Sequence, residues 1–169
     1  MPNRPSTWAA VLRPGNSPAK RGALGLLTRL LQRVRAAFPG VILRVRLDGG
    51  FASPEVLDCL EGEAVEYVVA MASNARLVKR VRRLMGRARM RSKASGETAA
   101  VFGETRYAAR KWRRKRRIVM KAEVVRHPGR DPKNNPRFVI TNLADAPEAV
   151  YQVYRERGDM ENRLKELHH

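Results

Sequence analysis

Four residues near the end of the chain have the types and spacing needed to handle metal ions and phosphate. Tyr154, Arg157, Glu161 and Lys165 follow one another at intervals of three, four and four residues. At about 100° per residue in an α-helix, these intervals place all four on one face. A carboxylate between two cations is either part of a solvated helix face or the rim of a site for a metal ion and a phosphate.

A second carboxylate, Asp48, follows the aliphatic run of residues 41–47, in which Arg44 and Arg46 are interleaved with apolar residues. This pattern predicts a strand, with Asp48 at its carboxyl end, where open α/β sheets bind ligands. Two interpretations stay open. Asp48 is a turn residue that bonds its own backbone, or it is a ligand residue that the next two glycines leave open to close approach.

The pattern of helices and strands that would position these residues predicts an α/β protein. Strand and helix patterns alternate in the first half of the chain, which predicts a mainly parallel sheet. Ser53 followed by Pro54 marks the start of one helix. The predicted strands are residues 8–12, 41–47, 67–71, 99–102, 118–125 and 137–142, and the predicted helices are residues 17–38, 53–62, 74–85 and 145 onward.

The charge balance indicates a polyanionic partner. The chain has 35 Lys and Arg residues against 16 Asp and Glu residues, a formal net charge of +19. Nucleic acid is the partner that fits such an excess, although ribosomal proteins share it. The single cysteine excludes an internal disulfide and a cysteine-based zinc site. No apolar run is long enough for a membrane span, so we expect a cytoplasmic, nucleoid-associated protein without membrane contact.

Two segments carry most of the positive charge. Residues 76–93 hold nine bases and no acid, and residues 106–117 form a second basic run around Trp112. Such runs are either solvated faces or contacts to a nucleic-acid backbone. Trp112 either stacks on a base or anchors a small core. The candidate DNA contacts in the second run are Arg110, Lys111, Trp112, Arg113 and Arg114.

Both carboxylate segments resemble the DDE transposases of bacterial insertion sequences. The Tyr154, Arg157, Glu161 spacing is similar to the glutamate motif of that family, and residues 157–166 (RGDMENRLKE) resemble one of its subgroups. Residues 46–58 (RLDGGFASPEVLD) resemble the block around the second catalytic aspartate. That block typically has Asp-Ser-Gly-Phe, so Gly49 departs from it. The motif's lysine usually follows the glutamate by seven positions, where this chain has His168.

The resemblance implies a ribonuclease-H-like fold, a mixed sheet flanked by helices with a basic β insertion. It implies that Asp48 and Glu161 are catalytic and bind two Mg²⁺ (or Mn²⁺) ions for cleavage and strand transfer at transposon ends. Arg157 and Lys165 would steady phosphates, and Tyr154 would contact DNA. No acid precedes Asp48, so the family's first aspartate has no counterpart, and the fold is expected to be incomplete at the N-terminus.

We therefore expect a C-terminal transposase fragment that is inactive alone. The expected division is residues 1–95 for the core with the second aspartate, 96–128 for the basic β insertion, and 129–169 for the last strand and the glutamate helix. DNA is the expected partner, with a homodimer or a complementing N-terminal transposase segment as further partners. The alternatives are a non-catalytic basic nucleic-acid-binding protein and a remnant reading frame without function.

Overall fold

The computed structural model describes the backbone of residues 22–166 and their side chains, except those of residue 23 and of residues 157–166. Four helices flank one mixed sheet, which is consistent with the expected ribonuclease-H-like fold. In chain order the elements are α1 (Ala23–Ala37), β1 (Arg44–Leu47), a 3₁₀ turn (Gly49–Phe51), α2 (Pro54–Gly62), β2 (Glu66–Met71), α3 (Ala75–Ser95), β3 (Ala99–Tyr107), β4 (Arg116–Val125), β5 (Lys133–Asn134), β6 (Arg137–Thr141) and α4 (Pro147–Glu166).

The sheet has the strand order β1-β2-β6-β4-β3, and the two-residue strand β5 pairs with the C-terminal end of β4. β1 and β2 are parallel, whereas β6 is antiparallel to both β2 and β4, and β3 is antiparallel to β4. The expectation of a mainly parallel sheet was therefore wrong. Only the β1–α2–β2 unit obeys the strand–helix–strand rule, because a short loop joins β3 to β4 and forces an antiparallel hairpin.

The two faces of the sheet carry different helices. The larger core cluster packs residues of α1, α2 and α3 against one face, with Leu57, Leu77 and Ile118 fully buried. The smaller cluster packs α4 on the other face through Val150 and Tyr151, which cover Val68, Val119 and Val139. Because successive strand residues point to opposite faces, β2, β3, β4 and β6 each contribute to both clusters.

α3 is longer than its apolar pattern indicates. Asn74 caps its start, because the Asn74 side chain accepts a hydrogen bond from the Leu77 amide at 3.1 Å. The helix continues ten residues beyond the predicted end at residue 85 and stops at Gly96, which has a positive φ of 74°. The sequence pattern missed this part because the buried stripe continues through small residues, Ala88 and Ser92, instead of large apolar ones.

The residues predicted as a basic insertion, 96–128, form the β3–β4 hairpin and belong to the same sheet as β1 and β2. β4 lies between β3 and β6, and its register pairs Val119 with Val139 of β6. The division of the chain at residues 95 and 128 stays a prediction.

Candidate functional site

Asp48 lies directly after β1, where the backbone is still extended (φ −78°, ψ 177°). Its Oδ1 accepts a hydrogen bond from the Gly50 amide at 2.8 Å and caps the 3₁₀ turn. The turn interpretation is therefore confirmed as a local contact. That contact involves one carboxylate oxygen and does not decide whether Asp48 also has a chemical role.

Strand alternation assigns Asp48 to the face of the sheet that α4 covers. Val45 and Leu47 pack against the larger cluster, on the face of α1 to α3. Arg46 lies on the opposite face, where its Nη1 donates to the Val153 carbonyl at 3.1 Å and to Glu156 Oε2 at 3.2 Å. Asp48 follows Arg46 by two positions, so it shares the parity of Arg46.

α4 approaches β1 from the amino end of the parallel strands. It follows β6, whose last residue, Thr141, pairs with Val68 near the start of β2. From there α4 crosses the smaller cluster and contacts β1 at Arg46. The helix therefore runs in the same general direction as β1, towards the edge that carries Asp48. α4 continues to Glu166.

The predicted residues of α4 are described to different extents. Tyr154 is half-buried and packs against the smaller cluster, with its ring 5.8 Å from that of Tyr151. The backbone positions of Arg157, Glu161 and Lys165 belong to α4, but their side chains lie outside the described residues, as does all of His168. Their roles stay predictions.

The loop between β3 and β4 separates the predicted DNA contacts into two groups. Arg110, Lys111 and Arg113 are exposed. Trp112 is only 9% exposed and contacts the Tyr107 ring edge-on, with centroids 5.9 Å apart. Of the two interpretations left open for Trp112, its burial favours the core anchor. Arg114 is bound to the protein, since it forms ion pairs with Glu61 and with Asp58.

A buried ion-pair network at the base of this hairpin was missed by the sequence analysis. Arg116 is 3% exposed, donates through Nε to Glu61 Oε1 at 2.8 Å, and also pairs with Asp58. Its guanidinium carbon lies 5.2 Å from the centre of the Trp112 ring, so the Arg116 guanidinium forms a cation–π contact with that ring. Its Nη1 is the one buried side-chain nitrogen or oxygen atom without a hydrogen-bond partner in the described part of the chain.

This network keeps its carboxylate ionised. Burial alone would raise the pKa of Glu61, but hydrogen bonds from Arg116 and Tyr67 and the charges of Arg116 and Arg114 outweigh it and lower the pKa. Burial and the hydrogen bond donated to Glu61 raise the pKa of Tyr67. The signal in the sequence was the alternation of β4, because Arg116 has the same parity as the buried Ile118 and Met120.

Comparison with known protein families identifies the chain. A family model described as "Transposase DDE domain group 1" matches residues 5–169. The chain belongs to the DDE transposase family. The resemblance of its carboxylate blocks to DDE transposases is thereby confirmed, and DNA transposition is the function of the family. No curated protein and no solved structure gives a significant match.

DDE transposases generally use divalent metal ions and act on DNA. Among residues 22–156, whose side chains are described except that of residue 23, no group of three or more His, Cys, Asp or Glu residues is arranged to hold a metal ion. Within the same part of the fold, no helix is both long enough and apolar enough to cross a membrane.

Proposed function

We propose that Asp48 and Glu161 of this DDE transposase chain bind divalent metal ions, Mg²⁺ or Mn²⁺, at a site that, once completed, serves phosphodiester cleavage and strand transfer at transposon ends. The observation that carries the proposal is the contact of Arg46 with α4. It fixes the glutamate helix to β1 two residues before the aspartate.

The lengths of the two elements support the convergence of these positions. Asp48 is two residues beyond Arg46, or about 7 Å along an extended chain. Glu161 is five residues beyond Glu156, or about 7.5 Å along a helix axis. Because β1 and α4 run in the same general direction, both positions advance by a similar distance from the shared contact. At about 100° per residue, position 161 also falls within roughly 20° of position 154, whose ring packs on the sheet.

The donor chemistry fits a hard divalent cation. Carboxylate oxygens are the ligands that Mg²⁺ and Mn²⁺ prefer, and Asp48 is a carboxylate at the carboxyl end of a parallel strand. When bound, such ions activate the attacking hydroxyl or water and stabilise the leaving oxygen. Asp48 and Glu161 would hold them, while Arg157 and Lys165 would orient the phosphates next to the scissile bond.

The tip of the β3–β4 hairpin supplies a further DNA contact in this proposal. Arg110, Lys111 and Arg113 are exposed, so they are able to reach a phosphate backbone. Trp112 is left out because it is buried against Tyr107. Arg114 contributes only if DNA replaces Glu61 and Asp58 as its partner. DNA as the substrate would also place the protein at the nucleoid.

Iron-directed cleavage tests the metal site without requiring catalysis. With Fe²⁺ replacing Mg²⁺, ascorbate and peroxide should cut the polypeptide near residues 48 and 161. Asp48→Asn and Glu161→Gln should each remove both cuts, because one site shares both carboxylates. Glu148→Gln, which changes an exposed carboxylate in the first turn of α4, serves as the matched control and should preserve them.

The opposite pattern would contradict the proposal. If Glu161→Gln leaves the cut near residue 48 unchanged, the two carboxylates do not bind a common ion. If no cut occurs at either position while DNA binding persists, metal binding by these two carboxylates is refuted and the alternative of a non-catalytic nucleic-acid-binding protein is favoured.

We also propose that residues 1–169 do not catalyse strand transfer by themselves. They contain no acid before Asp48, and two carboxylates hold a pair of ions less firmly than three. A complementing transposase segment or a second copy of the chain would then complete the site. Efficient Mg²⁺-dependent cleavage by the purified 169-residue polypeptide would overturn this part of the proposal.

A further inference from the structure

α3 carries nine bases on its solvent-facing side, and we call this surface the α3 basic face. The helix has no acidic residue. Its buried stripe contains Leu77, Val81, Met85, Ala88 and Ser92, which lie within about 80° of arc. The bases occupy the opposite arc of about 200°. They are all exposed: Arg76, Lys79, Arg80, Arg82, Arg83, Arg87, Arg89, Arg91 and Lys93.

The protein does not neutralise this face within the part of the chain that the structure describes. None of the eight ion pairs found there involves a base of α3. Arg80 donates to Thr105 Oγ1 and to the Arg106 carbonyl, and Arg89 donates to Asn134 Oδ1. These three acceptors are uncharged, so the charge of the face stays uncompensated.

We propose that the α3 basic face binds the backbone of duplex DNA, and that it holds a DNA segment other than the one at Asp48. This assignment rests on the proposed function for the identity of the second segment. The face spans 18 residues from Arg76 to Lys93, or about 26 Å of helix. Duplex DNA presents one negative charge per about 1.7 Å of axis, so a stretch of that length offers about 15 charges.

The composition of the face favours duplex DNA over an anionic membrane. A helix that lies on a bilayer needs an exposed apolar side to bury among the lipids. The apolar side of α3 is already packed on the sheet, and its exposed large apolar residues are only Val78 and Met90. Seven of the nine bases are arginines, whose guanidinium groups bind phosphate oxygens in pairs.

The position of α3 separates this face from the proposed metal site. α3 belongs to the larger cluster, whereas α4 covers the opposite face of the sheet together with Arg46. The sheet and one layer of helices lie between the two surfaces, with about 10 Å per packed layer. A straight duplex that lies along the outer side of α3 is on the opposite side of the sheet from α4, so we assign it to a DNA segment other than the one at Asp48.

The salt dependence of duplex binding by the full 169-residue chain tests the proposal. The variant Arg76→Gln, Arg83→Gln, Arg87→Gln, Arg91→Gln removes four charges from the face. It should lower the slope of log affinity against log salt by roughly 3 to 4 for a labelled 20-base-pair duplex, at about 0.9 per lost phosphate contact. The control Arg33→Gln, Arg130→Gln, Lys133→Gln, Arg137→Gln removes the same charge from other exposed positions. It should change the slope by less than 1.

Three further comparisons make the result decisive. Replacing the same four arginines of α3 by lysine should keep the slope, since the charges remain. Asp48→Asn should also keep it, and the four-glutamine variant of α3 should keep the iron cuts near residues 48 and 161. If the unsubstituted chain shows no iron cuts but the α3 variant still lowers the slope of log affinity against log salt, only the proposed metal site is refuted.

Two outcomes would overturn the α3 proposal itself. Equal slopes for the α3 variant and its control would show that only the net charge of the chain matters. Displacement of most of the bound duplex DNA by an equal concentration of single-stranded RNA would show that RNA is the preferred occupant.

Discussion

The two basic segments of this chain look alike in sequence but differ in what their charges do. At the base of the β3–β4 hairpin, Arg114, Arg116 and Arg117 are paired with Asp58, Glu61 and Glu104. On α3, nine bases face solvent, and none pairs with a carboxylate of the described residues. A basic run in a sequence therefore does not indicate by itself whether its charges are available to a ligand.

The difference follows from secondary structure. Strand alternation sends Arg116 into the core and Arg117 to the other side of the sheet, so both need partners inside the protein. In α3 the buried stripe contains no base, so every charge of the helix is left outside. Arg114, Arg116 and Arg117 therefore stabilise the fold through their ion pairs, whereas the bases of α3 have no carboxylate partner among the described residues and are available to an anionic ligand.

The largest expected effect comes from removing a paired arginine. Arg116→Ala should lower the free energy of unfolding by about 3 kcal/mol, because Glu61 and Asp58 lose their buried partner. We expect the lower end of the usual range, since Arg114 remains beside Glu61. Chemical denaturation measures the loss. Arg113→Ala, at an exposed position three residues away, should change the value by less than about 0.5 kcal/mol.

Equal losses of unfolding free energy for Arg116→Ala and Arg113→Ala would contradict the distinction between paired and exposed bases. A small loss for Arg116→Ala would mean that the network contributes little to the fold and that the hairpin bases are as available as those of α3. A large loss for Arg113→Ala would mean that the loop charges also have structural partners.

The pH dependence of stability provides a second test of the paired segment. The pKa of Glu61 lies below its ordinary value of 4.5 in the folded protein. Its contribution is therefore complete above the unfolded pKa and is lost as the pH falls through the lower folded pKa. Between about pH 5 and pH 3, the normal chain should lose more stability than Glu61→Gln, which has no proton to gain. Parallel curves for the two proteins would contradict the ionised network.

The sequence predicted the elements better than their assembly. Ser53 and Pro54 were sufficient to locate the start of α2, because capping depends on local residue types, and the helix predicted from residue 74 begins at its observed cap, Asn74. The antiparallel pairing of β6 between β2 and β4 joins residues far apart in sequence, and no local pattern specifies it. Asp48 was predicted as a candidate site residue from its place after a strand and from its motif, and its role stays a prediction. The partners of Arg116 became visible only in the structure, where β4 packs near α2.

The smallest expected effects concern the two sides of α3, and glycine substitutions separate them. At Gly103 of β3, an added Cβ would lie 2.7 Å from Leu84 Cδ1 of α3, so the helix is seated closely on the hairpin. Gly103→Ala should therefore cost about 1 kcal/mol, because Leu84 or the helix must shift.

Gly86 lies on the outward arc of the same helix, and an added Cβ there would meet nothing within 4 Å. Gly86→Ala should raise the free energy of unfolding by about 0.5 to 1 kcal/mol through helix propensity alone. It should also leave duplex affinity unchanged, since a methyl group on an open surface does not remove a phosphate contact. A loss of affinity without a loss of stability would instead show that DNA approaches the helix backbone at Gly86, closer than contacts from long side chains require.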